Sequence, residues 1–423
     1  MTHRHLPLLF AALLASATAR AQTPAPAPAE PSTPPETARV WPFHDNGVLL
    51  MQTADGDFKW WLDGRVNIDA AYYFNSDNTL ANGVELRRGR VALNMQLWKD
   101  WAGQFDVNFA DNVVDVKDAW IGYTGVGHSL IRVGNFRTPF GLETLTSSRF
   151  ITFMERALTD NFSPDRRMGV GINHWRDRWQ AAAGVFGPEL EDSVDTIGQS
   201  QTHSLVGRVT ALPIARGTTL VHLGVAAANM EPNAPTDESL SDANRWRVRA
   251  RPETDVNRGR FLNTGQVRNV DHASLYGLEA ASTFGPLSFQ AEYNYEKLRR
   301  TSDTLPEPTY SGYYAFVSYF VTGEHRPYDR TVGEFGRIVP RSRRGALELA
   351  ARYSSMDLND ADADVLGGQE DIVTLAANWY ANANVRIMAN YLFVRNDEHA
   401  TGDRDYTPSD RFNVVQMRLA LMF

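Results

Sequence analysis

The chain has 423 residues, a formal net charge of −8 at pH 7 and no cysteine. Net acidity disfavours a nucleic-acid partner, and the lack of cysteine excludes a disulfide-stapled secreted domain or a thiolate metal site. No apolar run is long enough to cross a bilayer as a helix, so the chain is either soluble or a β-barrel whose membrane character hides in alternation.

In chain order, residues 1–21 read as an export signal. Arg4 supplies the positive end, Leu6 to Ala15 the apolar core, and Ala19-Arg20-Ala21 the small-x-small cleavage site. Losing Arg4 and Arg20 leaves the remainder two charges more negative. Residues 22–57 read as a Pro-rich periplasmic leader and N-terminal segment, whose Pro-rich part, Thr23 to Pro42, carries Pro24, Pro26, Pro28, Pro31, Pro34, Pro35 and Pro42. Such a stretch buries too little apolar surface to fold alone, and it is expected to be a flexible or polyproline-like periplasmic leader.

From Phe58 the pattern has period two. Phe58, Trp60, Leu62, Val66 and Ile68 share one parity, against Lys59, Asp63, Arg65, Asn67 and Asp69. The closing stretch places Val415, Met417, Leu419, Leu421 and Phe423 opposite Val414, Gln416, Arg418 and Ala420. This is a strand with one apolar and one mixed face, as a wall between lipid and water needs. Segments of this kind start near residues 58, 84, 102, 114, 129, 167, 179, 201, 217, 273, 286, 309, 344, 370, 383 and 411. The expectation is an all-β fold, a transmembrane antiparallel β-barrel of about 16 strands over residues 58–423, with short periplasmic turns and long extracellular loops. Long polar connections are expected near 137–166, 188–200, 230–272, 323–343, 357–369 and 396–410. Aromatic residues at strand ends, such as Trp98, Trp101, Trp175 and Trp179, suit the two bilayer interfaces.

No HExxH, Gly-x-Ser-x-Gly or P-loop motif occurs, so an enzyme is not expected, nor a cofactor or metal. Arginine carries the chemistry instead. Arg65 lies on the polar parity of the first strand, and Arg88 and Arg90 on that of the second. Arg87 falls on the wrong parity and faces inward only across a bulge. Arg245, Arg247, Arg249 and Arg251 recur at every second position. An extended run would set their guanidiniums about 7 Å apart in a row. Guanidinium stays charged and its planar fork matches phosphate oxygens, so such a row concentrates anions in a narrow pore. Several weak sites in series let an ion hop where one tight site would trap it. Residues 137–166, with Glu143, Arg149, Glu155, Arg156, Asp160 and Asp165 among apolar side chains, suit one long loop folded into the lumen.

The chain resembles the phosphate-selective porin family (porins O and P) over about residues 58–423. The resemblance rests on Leu62-Asp63-Gly64-Arg65, Leu86-Arg87-Arg88, Lys117-Asp118-Ala119, Gly134-Asn135-Phe136 with Phe140-Gly141-Leu142-Glu143, Met154-Glu155-Arg156, Tyr276-Gly277-Leu278-Glu279 and Asn378-Trp379-Tyr380-Ala381-Asn382, in this order and spacing. It implies a homotrimeric sixteen-stranded channel in the outer membrane of a Gram-negative bacterium, bedded in lipid and lipopolysaccharide and passing inorganic phosphate or other small anions. It further implies that Arg65, Arg87, Arg88 and Arg156 form the anion-binding constriction. Arg245, Arg247 and Arg249 would fall on a ladder leading to it, which the alternation extends to Arg251, and Arg260 more loosely on another pore arginine. The chain departs from the family at Thr144, where a lysine is usual, and at Lys117, where an aspartate is. Arg90 and Arg137 stand in place of tyrosines and are additional pore candidates. The alternative is a general diffusion porin with weak or no phosphate selectivity, whose arginines are balanced by acids.

Overall fold

The computed structural model describes residues 40–45, 48–190, 201–232 and 244–423, with side chains from residue 50 onward. The expected signal peptide, most of the Pro-rich leader and the acidic stretch around Asp192 and Asp195 lie outside the described residues.

Sixteen antiparallel strands follow one another around a closed wall. They are β1 (Phe58–Phe74), β2 (Gly83–Leu97), β3 (Trp101–Asn108), β4 (Asp115–Tyr123), β5 (Ser129–Arg137), β6 (Arg166–Arg176), β7 (Trp179–Phe186) and β8 (Ser204–Arg216). The second half comprises β9 (Thr219–Met230), β10 (Val270–Phe284), β11 (Leu287–Arg300), β12 (Thr309–Phe320), β13 (Ala346–Asp360), β14 (Val365–Tyr380), β15 (Val385–Asn396) and β16 (Arg411–Met422). Each start lies within five residues of its sequence expectation. Closure is made by β16 on β1, from Asn413↔Phe74 to Met422↔Arg65. Beyond that ladder, Phe423 and Gly64 exchange backbone bonds of 2.7 and 3.1 Å, and the Phe423 ring covers Gly64 so closely that a Cβ there would meet it at 2.5 Å.

The burial pattern is inverted relative to a soluble protein. On β16, Arg418 is 1% exposed and Gln416 2%, while Met417 is 52% exposed and Leu419 48%. Charge therefore turns inward, and the apolar parity forms an outer band of the kind a bilayer requires. The interior is apolar at the mouth, where Phe261, Leu262, Ala250, Phe412, Val414 and Leu392 pack together. Below that cluster it is polar.

Two connections differ from expectation. The sequence reading made 357–369 a loop, but β13 and β14 run on as a paired ribbon to Asp360↔Val365, since acids and glycines are tolerated where strands project into water. The connection of residues 321–345 leaves from the end that carries the short turns, so short and long connections do not alternate strictly. Its polar composition matched an outer loop, yet Glu324, Arg326 and Phe335 are buried. Ahead of β1 lie two further short strands. Strands Val40–Asp45 and Val48–Thr53 form a hairpin whose Leu49–Gln52 pairs with Lys59–Leu62 of β1. It covers the part of the β1 edge that β16 does not reach, leaving fewer unpaired backbone groups there.

Placing a charge in the outer band tests the assignment of faces. Met417→Arg is expected to cost ~2–4 kcal/mol of folding free energy near mid-bilayer. Equilibrium urea unfolding in phospholipid vesicles measures it, and undiminished stability would mean that this parity does not face lipid.

Candidate functional site: arginines around two interior cavities

The segment between β5 and β6 is tied to inward side chains of five strands. Arg352 of β13 binds Glu143 (3.3 Å) and the Glu155 carbonyl (3.1 Å), and Arg386 of β15 donates to the Ile151 carbonyl at 2.9 Å. Asn378 of β14 donates to the Thr152 carbonyl (2.7 Å), and Glu292 of β11 accepts the backbone N–H groups of Leu142 and Glu143. Arg418 of β16 binds Asp69 through both oxygens (2.7 and 2.6 Å), and also the Met154 carbonyl and Glu155. Backbone carbonyls inside a wall need donors, and these wall guanidiniums and amides supply them.

Residues 321–345 approach from the opposite end. Arg326 donates twice to Gln290 at 3.1 Å and lies 3.8 Å over the Phe335 ring. Tyr328 is hydrogen-bonded to His222 Nδ1 (2.7 Å), and Arg208 bridges Glu279 (2.7 Å) and the Gly333 carbonyl (3.0 Å). Phe335 meets Leu142 and Ala281 in one apolar cluster, so the two inserted segments touch. A third insertion, from the β9–β10 connection, runs extended past Trp246 and Val248. Trp246 bridges to Val267, and Arg249–Ala250 pairs with Leu262–Asn263. Val248 and Ala250 point into the apolar cluster at the mouth, which turns Arg247 and Arg249 the other way, exposed.

Among the described residues, two cavities border these insertions. One, of about 560 Å³, is bordered by Arg87, Arg156, Arg247, Arg249, Arg251 and Arg260. The other, of about 240 Å³, is bordered by Arg65, Arg132, Arg137, Arg149 and Arg166 with Asp106, Asp118 and Glu334. The sequence-derived residues thus divide. Arg87, Arg156, Arg247, Arg249, Arg251 and Arg260 meet in the larger cavity, Arg65 and Arg137 in the smaller, and Arg88, Arg90, Lys117 and Arg245 border neither.

Pairing differs as sharply. Arg87 is the unpaired residue of a β-bulge, since Asn67 faces Arg88 and Ile68 faces Leu86, and this turns it inward. It grips Glu155 with two bonds (3.0 and 2.9 Å) and reaches Asp255 at 3.3 Å. Arg88 adds bonds of 3.3 and 3.1 Å to Glu155. Burial pushes the Glu155 carboxyl up, but Arg87, Arg88 and Arg418 outweigh it and hold it well below the usual carboxylate range. Arg65 donates to Ser148 at 2.6 Å and lies 3.6 Å from Asp106; Arg90 binds the same Asp106 at 3.0 Å. Arg137 donates to the Thr144 carbonyl and sits 3.4 Å from Asp165. Arg156 donates to the carbonyls of Glu143 and Thr146, both at 2.8 Å, with Asp160 at 3.6 Å. Lys117 pairs with Asp115, and Arg251 with Asp255.

The ladder is different. Arg247 donates to Asn263 (2.8 Å), Arg249 makes no ion pair among the described residues, and Arg260 has only Asp403 at 3.8 Å. Partial burial, then repulsion from Arg247, lowers the Arg249 guanidinium from its ordinary value; for Arg260 the repelling groups are Arg251 and Arg249. Like charges are crowded here with little to compensate them. Sequence reasoning missed the interior arginines Arg208, Arg352, Arg386 and Arg418, all fully buried. Parity alone marks the last three; their partners on distant segments are invisible to it.

The comparisons with known proteins agree with this architecture. A family model described as "Phosphate-selective porin O and P" matches residues 61–423. An uncharacterized protein of Caulobacter vibrioides is 31% identical over 93% of this chain and 80% of its own length. Porin O of Pseudomonas aeruginosa is 27% identical over 85% of this chain and 88% of its own. Among solved structures, OmpT, an outer membrane protein of Vibrio cholerae, superposes with a TM-score of 0.55 at 13% identity, covering 87% of this chain and 98% of that one, a likeness of fold alone.

The anchoring of the inserted segments is testable. Arg352→Met leaves Glu253 and Glu143 buried without their partner and is expected to cost ~3–5 kcal/mol. A fall in the thermal unfolding midpoint reads it out. Adding Glu253→Gln should restore part of the loss, because the stranded charge goes with it.

Proposed function

Because the chain belongs to the phosphate-selective porin O and P family, whose members are outer-membrane channels and not enzymes, we propose that it passes small anions, inorganic phosphate among them, along its arginines. The observation that carries this reading is a bookkeeping of charge around the larger cavity. Six arginines and six acids border it. Its acids are tied down: Glu155 to Arg87, Arg88 and Arg418, Asp255 to Arg87 and Arg251, Glu253 to Arg352, Asp165 to Arg137 and Arg166, Asp160 to Arg156, and Glu189 to Arg167. Several of those guanidiniums come from outside the cavity. The charge left over is cationic and sits on Arg247, Arg249 and Arg260. An anion entering there meets fixed positive charge in a confined space of low dielectric, which raises its local concentration and excludes cations.

The route we infer runs from this run of arginines to Arg156 and Arg87, and on past Arg65 and Arg137 toward the end that carries the short turns. Thr144, hydrogen-bonded to Asp160 at 2.6 Å, contributes no charge along it. On the same reading the barrel works as a homotrimer in lipid and lipopolysaccharide of the outer membrane. The near balance of arginines and acids favours a second reading, a general diffusion porin with weak phosphate preference.

Reversal potential in planar bilayers under a KCl gradient separates the two. An anion-selective potential with saturable phosphate block supports the first reading, and a potential near zero supports the second. Neutralising Arg247, Arg249 and Arg260 together to alanine should reduce anion conductance several-fold at low ionic strength and much less near 1 M, where the Debye length falls to ~3 Å. An equal loss at both would point to a folding defect. Arg156→Ala should weaken phosphate block by the ~1.5–3 kcal/mol of a charge-assisted contact; unchanged block would remove Arg156 from the route.

A further inference from the structure

One carboxylate lies where the anion is expected. Glu155 receives both forks of adjacent arginines, from Arg87 at 3.0 and 2.9 Å and from Arg88 at 3.3 and 3.1 Å, and a further bond from Arg418 at 2.5 Å. Five N–H donors on two oxygens is the coordination that a tetrahedral oxyanion takes from guanidiniums. Glu155 sits outside any helix or strand, its side chain is 13% exposed, and it borders the larger cavity together with Arg247 and Arg249. The Glu155 carbonyl is held independently of its carboxylate, by Arg352 at 3.1 Å.

We propose that Glu155 is a tethered competitor, a built-in anion that fills the Arg87–Arg88–Arg418 site and is displaced by an entering oxyanion. This deepens the anion-channel reading and rests on it. With only Asp69 on Arg418 and Asp255 near Arg87 to offset them, three converging guanidiniums would hold a phosphate dianion too long for conduction, which needs a site that fills and also empties. A carboxylate on the same chain has a high effective concentration and returns as soon as the anion moves, so it lowers affinity and hastens release. The arginines, desolvated and close together, are never left without negative charge. Glu155 thereby sets the affinity of the constriction, while Arg247 and Arg249, which border the same cavity, supply the attraction.

The test uses the purified full-length protein in planar bilayers, with inorganic phosphate as probe in chloride at low ionic strength. Wild type is measured first. A non-selective wild-type channel would overturn the anion-channel reading itself, whatever Glu155 does. With an anion-selective wild type, Glu155→Gln keeps the shape and removes the competing charge. It should lower the half-blocking phosphate concentration about tenfold, equivalent to ~1.4 kcal/mol. It should also enlarge the phosphate-induced rise in thermal unfolding midpoint. Equal or weaker block in a folded Glu155→Gln channel overturns the proposal. So does a midpoint lowered to the same extent with and without phosphate, because Glu155 would then be a structural counter-charge only. Should Glu155→Gln fail to fold, Glu155→Asp retains the charge but shortens its reach by one methylene. Tighter block in that variant sustains the proposal, and unaltered block overturns it.

Discussion

A guanidinium in the wall of this barrel has one direction to face and needs a partner when it gets there. Lipid on the outer side accepts no charge, so Arg208, Arg352, Arg386 and Arg418 turn inward, and there each is bonded to a carboxylate or to backbone carbonyls. Those partners are supplied largely by segments inserted from the two ends. The pairing therefore does two things at once: it makes buried arginine tolerable, and it fastens the inserted segments at fixed depths. The cavities exist because the fastening points are where they are.

From this follows a two-tier distribution of charge. Around Glu155, Asp106 and Asp118, arginine and acid are interleaved and largely cancel. Along the extended run of Arg247 and Arg249 they do not, because the alternate side chains of that run, Val248 and Ala250, are committed to the apolar cluster at the mouth. An apolar packing decision thus creates an electrostatic one. The hydrophobic side of a two-residue repeat presses the run against the mouth, and its charged side has only water and the cavity left to face.

Much of the wall was legible in the sequence, because a strand between lipid and water must alternate and sixteen such segments can be counted. Even the bulge at Arg87 follows from parity, since three arginines crowded into residues 87–90 cannot all face inward on a regular strand. What was not legible has a common cause. The entry of residues 321–345 from the short-turn end, the hairpin of residues 40–53 against β1, and the extension of β13 and β14 beyond the membrane zone all depend on what a polar segment docks against. Composition reports that such a segment is hydrophilic; it does not report whether its polar groups meet water or the donors of an interior wall. The interior arginines show the same limit. Parity placed Arg65 and Arg88 inward correctly, but it did not reveal that they serve different neighbours, Ser148 and Asp106 for one and Glu155 for the other.

The seating of residues 321–345 has a consequence for how such a protein changes over time. The wall must obey a strict alternation that tolerates few substitutions, whereas the inserted segments meet no demand from lipid and need only keep their anchoring bonds. The cylinder and its contents are therefore written in separate stretches of the gene and are free to drift at different rates. Replacements at Val332 or Glu334, which border the smaller cavity, would change its lining while leaving untouched the code by which the strands find one another.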